Sequence, residues 1–254
     1  MMLDRIAMAA LLLLLFDFSH TPLAQENAAS PHWSYSGEEG PARWGDLAPS
    51  FSECKLGTQQ SPIDIRAAKK AKLDVIEFHY QAVPLDIIDN GHTIQINYAS
   101  GSYILVGQRR YDLKQFHFHH PSEEKIDGKA FDMVAHLVHS DDSGALAVVA
   151  VLLEHGEANR TIERLWKNLP GAKNVALQPP AVTIDARGLL PSGHAYYTFA
   201  GSLTTPPCSE GVTWFVLKQP TSISSQQLEA FRKVYPLSAR PIQPLHGRTV
   251  EASE

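Results

Sequence analysis

The sequence has no long basic stretch: no run of Lys and Arg exceeds two residues, and the formal net charge is -5 over 254 residues. This argues against the basic surface through which proteins bind nucleic acid. Internal repeats and low-complexity segments are also missing. Hydrophobic residues make up 44% of the chain and charged residues 19%, which is ordinary for a folded globular protein. Its length fits one large domain.

Long apolar runs are scarce, and the most pronounced one covers residues 6–16. A membrane-spanning helix needs about 20 apolar residues, whereas a run of this length is typical of a signal-peptide core. Arg5 precedes it, and the small residue Ala24 follows at a distance suited to cleavage. We therefore predict a signal peptide over residues 1–24, a short flexible segment over 25–31, and a periplasmic or secreted protein that has no membrane segment once mature.

Cysteine is nearly absent, since the chain contains only Cys54 and Cys208. In an exported protein an even pair favours one disulfide over two free buried thiols. In the chain-entropy model, closing so long a loop would stabilise the fold by roughly 5 kcal/mol.

Helix signals are few, and strand signals dominate. Helices are predicted at residues 161–169 and 224–235, the second ending before Pro236. Alternating or Val-rich segments predict strands at residues 85–88, 93–98, 115–119, 131–139, 146–153 and 211–217. The chain shows no regular alternation of strands and helices, which argues against a doubly wound fold. We predict one mostly β domain over residues 32–251 with short peripheral helices.

A group of histidines marks the candidate functional site. Strand side chains alternate between the two faces of a sheet, so His117 and His119 share one face while Phe116 and Phe118 share the other. The two histidines lie about 6.6 Å apart along the strand. His136 follows on a second predicted strand after a turn-like segment, and pairing of the two strands would bring it alongside them.

Three imidazoles suit zinc and leave one tetrahedral position for water, whereas a structural zinc site has four protein ligands and favours Cys. Both cysteines lie far from the histidines in the sequence. Surface or core histidines are the simpler alternative. A cupin metal site is another, because His117, His119 and Glu123 match part of its first motif. The glycines of that motif are missing, as is the second motif.

Eight ordered segments resemble the alpha-type carbonic anhydrases, and they span about His32 to Arg248. The segments are HWSYSGEEGPARWGDL, GTQQSPIDI, QFHFHHPSE, AHLVH, GALAVVAVLL, SLTTPPC, VTWFVL and ARPIQPLHGR. The cysteine positions resemble those of exported bacterial members, whose pair forms a disulfide. The resemblance implies a large, twisted, mainly antiparallel central sheet of about ten strands, with the metal at the base of a conical cleft.

The resemblance also implies an activity, the reversible hydration of carbon dioxide to bicarbonate and a proton by zinc-bound hydroxide. His117, His119 and His136 match the Zn²⁺ ligands. Thr204 matches the threonine that accepts a hydrogen bond from the hydroxide, and Glu123 matches the acidic partner of that threonine. A carboxylate only accepts hydrogen bonds, so it would orient the threonine proton toward itself.

Further roles follow from the same resemblance. His92 matches the histidine that passes the proton to buffer, a task suited to its near-neutral pKa. Gln115 matches the hydrogen-bond partner of the first zinc ligand. The water network is matched by Tyr35, Asn90 and Gln95. The substrate-binding wall is matched by Val138, Val148, Leu203, Thr204, Thr205, Val212 and Trp214.

One position departs from the family pattern. Two residues before the third zinc histidine the family usually has a Glu that hydrogen-bonds that ring, and here the residue is Val134. The hydrogen bonding around His136 is therefore altered, and we expect a water, a backbone carbonyl or a different side chain to serve this ring. If nothing does, zinc should bind more weakly than in relatives that carry the Glu.

Two functions compete with the enzyme: a catalytically silent binding protein with the same sheet, and an exported zinc carrier. The first usually lacks the zinc histidines, and the second usually has long His-rich or acidic tracts. Neither description fits this chain, whose expected partner is carbon dioxide or bicarbonate. The sequence leaves a homodimer open.

Overall fold

A computed structural model describes residues 31–254, which form one unit, Pro31–Glu254. The predicted signal peptide, and all of the predicted flexible segment except Pro31, lie outside the described residues. The α-helices are α1 Trp44–Leu47, α2 Glu53–Leu56, α3 Arg160–Trp166 and α4 Ser225–Val234, and single 3-10 turns occur at Gly37–Glu39, Pro49–Phe51 and Ala186–Leu189.

Strands make up most of the regular structure. They are β1 Asp64–Ile65, β2 Lys69–Lys70, β3 Ile76–His79, β4 Val83–Pro84, β5 Asp86–Asp89, β6 Ile94–Asn97, β7 Tyr103–Val106, β8 Arg109–His119, β9 Lys125–Ile126, β10 Lys129–Ala130, β11 Met133–Ser140, β12 Leu146–His155, β13 Ala176–Leu177, β14 Thr183–Ile184, β15 Tyr196–Ser202, β16 Glu210–Leu217, β17 Thr221–Ile223 and β18 Glu251–Ala252.

One 13-stranded sheet organises the described residues. Its main path runs β13-β5-β6-β8-β11-β12-β16-β15-β18-β2, with β3, β7 and β17 attached to the side. Most neighbours are antiparallel, but β12 pairs in parallel with β16 and β17, and β18 with β2. The predicted fold class, a mainly antiparallel sheet with short peripheral helices, is therefore confirmed.

The central strand β12 explains why the sequence 146–153 is almost continuously hydrophobic. Both of its faces are covered, as is usual for a strand inside a sheet with two packed sides. Ala147, Val149 and Val151 face a first core that also contains Phe116 and Phe118. The alternate residues of β12 face a second core that also contains Val134, Val212 and Trp214.

Strands β8 and β11 pair antiparallel, as the metal-site prediction required. His136 lies opposite His117, and Val134 lies opposite His119. Because opposed residues in a sheet point to the same face, all three histidines lie on the side of the second core. Phe116 and Phe118 are fully buried on the other side, as the alternation predicts.

Both predicted helices are present and slightly shorter than expected. Asn159 caps α3 through its side chain, accepting from the backbone N–H groups of Thr161 and Ile162. Ser224 and Gln227 form a capping box at the start of α4. Among strands of four or more residues, the sequence analysis missed β3, β7 and β15. Within residues 31–254, no helix is both long and apolar enough to cross a bilayer.

The buried pair Tyr80 and His139 generates a stability prediction. The Tyr80 hydroxyl lies 2.8 Å from Nε2 of His139 in the first core, where burial lowers the pKa of His139 to about 3. Tyr80→Phe leaves a buried ring nitrogen without its partner, so we expect the free energy of unfolding to fall by roughly 1–3 kcal/mol. Urea denaturation measures this.

Tyr197→Phe is the control, because that hydroxyl has no hydrogen bond among the described residues. An equal loss of stability in both variants would contradict the stabilising role of the Tyr80–His139 hydrogen bond.

Candidate metal centre and cleft

Three histidines converge at one place on the sheet, and two of them, His117 and His119, line a cavity. One ring nitrogen each from His117, His119 and His136 lies within 4.8 Å of the others. His119 and His136 are each 1% exposed, while His117 is partly exposed toward the cleft. Within residues 31–254 this is the only cluster of three or more His, Cys, Asp or Glu side chains with metal-ligand spacing.

Two of the rings are oriented by hydrogen bonds at Nδ1. Nδ1 of His117 lies 2.8 Å from Oε1 of Gln115, as the family resemblance implied for Gln115. Nδ1 of His119 lies 2.6 Å from the backbone oxygen of Ser238. In both rings Nε2 is left for a metal, and Nε2 of His119 is buried with no hydrogen-bond partner among the described residues.

The third ring is oriented the other way round. Nε2 of His136 lies 3.2 Å from Oε2 of Glu124, so Nδ1 is the nitrogen left for a metal. Val134 faces the same side of β11 but is fully buried in the second core. The sequence analysis missed Glu124, treating it only as a loop neighbour of Glu123. The signal that could have found it is a second acidic residue beside Glu123 in a chain that lacks the usual Glu at position 134.

Burial controls the charge of the histidines. Desolvation, with a contribution from His136, lowers the pKa of His117 to about 3 and that of His119 well below its usual value. Burial also acts to lower the pKa of His136, but the adjacent Glu124 carboxylate outweighs it and the net shift is upward. Two rings are thus neutral at pH 7, the form that binds a metal. Three convergent imidazole nitrogens with one orphaned in the interior fit a zinc ion with one open position.

Glu123 and Thr204 lie beside the histidines. Oε1 of Glu123 accepts a hydrogen bond of 2.7 Å from the backbone N–H of Arg240, and the Thr204 side chain is close enough to the same carboxyl to lower its pKa. Burial raises the pKa of Glu123 to about 7, against the lowering effect of His136, Arg240 and Thr204. The structure therefore brings together the acidic residue and the threonine that are 81 positions apart in sequence (204 minus 123).

A polar wall leads outward from the histidines. Asn90 holds the turn before β6, because its Oδ1 accepts from the backbone N–H of His92 at 3.0 Å and of Thr93 at 2.9 Å. Its Nδ2 donates to Oε1 of Gln95 at 3.2 Å. A cavity of about 120 Å³ is lined by Trp33, Tyr35, Asn90, His92, Thr93, Gln95, Gln115, His117, His119 and Thr205.

His92 lies at the mouth of this cavity and is half-buried. Its ring stacks on Trp33, with ring centroids 3.7 Å apart and an interplanar angle of 6°. Desolvation, followed by repulsion from His32 and Lys173, lowers the pKa of His92. Neutral imidazole is thereby favoured, the form that can accept a proton.

The predicted apolar wall lies on the face of the sheet that carries His136. Val138, Val148 and Trp214 follow one another across β11, β12 and β16 in the register of the sheet. Val148, Val212 and Trp214 are at most 2% exposed and belong to the second core, whereas Val138 and Leu203 are partly exposed. Of the five apolar residues, only Val138 and Leu203 keep exposed surface.

A disulfide joins the cleft to an outer helix. Cys54, on α2, is bonded to Cys208 with an S–S distance of 2.04 Å, which confirms the predicted pairing. Cys208 follows directly on the segment that carries Thr204 and Thr205, and its N–H donates to the backbone oxygen of Thr205 at 2.8 Å. The covalent link therefore restrains the segment that places the Thr204 hydroxyl.

The fold and the three-histidine cluster define a large β-sheet protein with a candidate metal site, and comparison with known proteins identifies its family. Residues 39–254 match the family model described as eukaryotic-type carbonic anhydrase. The chain is 40% identical over 238 residues to a carbonic anhydrase of Nostoc, covering 92% of this chain and 90% of that protein. It is 46% identical over 222 residues to a carbonic anhydrase of Neisseria gonorrhoeae, covering 86% and 87%.

The solved structures agree. The alpha-carbonic anhydrase of Thermovibrio ammonificans, in complex with the inhibitor sulfanilamide, superposes with a TM-score of 0.85 at 42% identity, covering 89% of this chain and all of that one. The chain belongs to the eukaryotic-type, or alpha, carbonic anhydrase family.

The disulfide gives a prediction about the stability of the fold. We expect Cys54→Ser/Cys208→Ser to lower the free energy of unfolding by roughly 2–5 kcal/mol, because the reduced chain gains conformational freedom when unfolded. Denaturation with and without a reducing agent measures this, and the reductant should destabilise the wild type but leave the double variant unchanged. A double variant as stable as the oxidised wild type would contradict the prediction.

Proposed function

We propose that this protein is a zinc-dependent carbonic anhydrase that interconverts carbon dioxide with bicarbonate and a proton. The observation that supports this most directly is the convergence of three ring nitrogens, each left available because the other nitrogen of its ring has a partner. Family membership supports the reaction, and the donor set supports the metal.

The zinc ion would be held by Nε2 of His117, Nε2 of His119 and Nδ1 of His136. When bound in a site of this kind, zinc lowers the pKa of water at its open position to about 7, which makes a nucleophile available near neutral pH. The protein contributes neutral imidazoles at His117 and His119, and a cavity reaches these two rings.

Thr204 and Glu123 would orient the reacting group. When Glu123 is ionised it can only accept hydrogen bonds, so the Thr204 proton would point toward Glu123 and an oxygen lone pair would point away from it. Any group at the open position of the metal must then donate a hydrogen bond to Thr204. This selects a protonated oxygen there and fixes the direction of its remaining lone pairs.

The apolar wall of the cleft would bind the substrate, and the polar wall would support proton transfer. Val138 and Leu203 offer apolar surface that suits carbon dioxide, which carries no net charge. On the opposite wall, Asn90 and Gln95 offer polar groups that can hold water between the histidines and His92. His92 would then accept the proton at its ring and release it to buffer outside the cleft.

We also propose export to the periplasm or beyond, which the disulfide supports because such bonds persist in oxidising compartments. Two other functions would use the same fold, binding without catalysis and zinc transport. The complete set of three histidines favours the enzyme over the first, and the Thr204–Glu123 pair, which a carrier does not need, favours it over the second.

The metal proposal predicts the effect of removing one ligand. His119→Ala leaves two protein ligands, so we expect most of the zinc to be lost and carbon dioxide hydration to fall to the uncatalysed rate. Metal analysis with stopped-flow hydration measures both. His79→Ala, at an exposed histidine, is the control and should keep one zinc per chain and the full rate.

The wild-type result separates the alternatives. A wild-type protein that binds zinc but does not hydrate carbon dioxide would favour a carrier. A wild-type protein that shows neither bound zinc nor hydration activity would favour a binding protein. A His119→Ala variant with full zinc and full rate would overturn the ligand assignment.

Proton transfer gives a separate prediction. His92→Ala should lower the maximal hydration rate in weak buffer by roughly tenfold or more, toward the ~10²–10⁴-fold range of positioned acid–base groups. Zinc content should be unchanged, because the His92 ring is not in the three-histidine cluster. Added imidazole should restore part of the rate. If the variant keeps the wild-type rate in weak buffer, His92 is not the proton acceptor.

A further inference from the structure

We infer that Glu124 is the residue that positions His136 for the metal, in place of a carboxylate at position 134. This inference rests on the proposed zinc site. The observation that carries it is a buried loop carboxylate 3.2 Å from Nε2 of His136, in a chain that has Val134 two residues before that histidine.

The Glu124–His136 contact is the only hydrogen bond that the Glu124 side chain makes among the described residues. Glu124 is 0% exposed, and its Oε1 has no partner there. Burying a carboxylate is costly unless it is paired, so the interaction with the ring accounts for its tolerance at this place. The ring in turn gains an acceptor at Nε2, which leaves Nδ1 directed toward the other two histidines.

The loop holds the Glu124 backbone on both sides. The Ser122 hydroxyl donates to the backbone oxygen of Glu124 at 2.8 Å and accepts from the N–H of Phe131 at 2.8 Å. On the other side, the N–H of Lys125 donates to the oxygen of Ile63 at 3.2 Å. These hydrogen bonds restrain the backbone of Glu124. The position of its carboxylate is therefore set by an ordered loop.

The residue at position 134 is part of the hydrophobic core. Val134 is 0% exposed, lies opposite His119 on β8 and Leu152 on β12, and packs in the second core. It neighbours His136 on the same face of β11, so a Glu there would approach the same ring from the strand. His136 already lies between two buried carboxylates, because Oε2 of Glu123 is 3.8 Å from its Nδ1 and Glu124 faces its Nε2. A Glu at position 134 would add a third one and compete with Glu124 for the same Nε2–H, so the site accommodates a carboxylate at position 124 or at position 134, but not at both.

A metal-binding histidine is oriented by the acceptor on its other nitrogen, and loss of that acceptor typically costs ~10–100-fold in metal affinity or activity. Glu124→Ala removes the acceptor, while Glu124→Gln removes the charge but keeps an oxygen that can accept. We expect zinc transfer to a chelator to be fastest for Glu124→Ala, about 10–100-fold faster than for the wild type, with Glu124→Gln in between.

A double-variant cycle on the full chain tests whether a carboxylate at position 124 replaces one at position 134. Val134→Glu alone should destabilise the fold, because it adds a third buried carboxylate beside Glu123 and Glu124. Combined with Glu124→Ala, the same change should slow zinc loss relative to Glu124→Ala alone and recover stability. Tyr80→Phe is the matched control, since it removes a buried hydrogen bond from His139 on the same strand. It should lower the melting temperature but leave the rate of zinc loss unchanged.

A second measurement uses only the wild type and therefore does not depend on whether the variants fold. In the zinc-loaded wild type, nuclear magnetic resonance should detect a His136 Nε2–H proton that exchanges slowly with water, because Glu124 accepts it inside the protein. Fast exchange at this proton would overturn the inference. So would a folded Glu124→Ala variant that loses zinc at the wild-type rate, or a Val134→Glu change with the same effect in both backgrounds. A wild-type chain that binds no zinc would instead contradict the proposed function, and the role of Glu124 with it.

Discussion

The site depends on the register between β8 and β11. His136 lies opposite His117, and Val134 lies opposite His119, so one face of two adjacent strands carries all three imidazoles. Because side chains alternate along a strand, a slip of one residue would turn the histidines of one strand into the opposite core. The register is held by what lies on the other face, where Phe116, Phe118 and Leu137 are fully buried. Ordinary core packing therefore fixes the geometry of the metal centre.

The second requirement is that each buried ring has a hydrogen-bond partner on the nitrogen that does not face the metal. The three partners come from unrelated parts of the chain: the neighbouring side chain of Gln115, the backbone oxygen of Ser238, and the carboxylate of Glu124. Each fixes a ring rotation and a tautomer that packing alone would leave undetermined. The cost of burying an imidazole without partners makes these contacts structural as well as functional.

The sequence predicted the parts of the site that local pattern controls. The alternation of His117 and His119 with two phenylalanines placed the ligands on one face, and the strand after the loop supplied His136. The partner of His119 could not be predicted in this way, since a backbone oxygen 119 residues away leaves no signature in residue type. Glu124 was missed because a carboxylate in a loop is usually exposed. The beginning of β8 was missed because Arg109 and Arg110 interrupt its hydrophobic pattern.

The central claim is that three histidines with fixed tautomers hold one zinc ion, two through Nε2 and one through Nδ1. A crystal structure of the zinc-loaded protein, with anomalous diffraction recorded at the zinc absorption edge, tests it most directly. The account predicts one strong anomalous peak about 2.0–2.1 Å from Nε2 of His117, Nε2 of His119 and Nδ1 of His136. A peak outside this cluster, or coordination of His136 through Nε2, would contradict it.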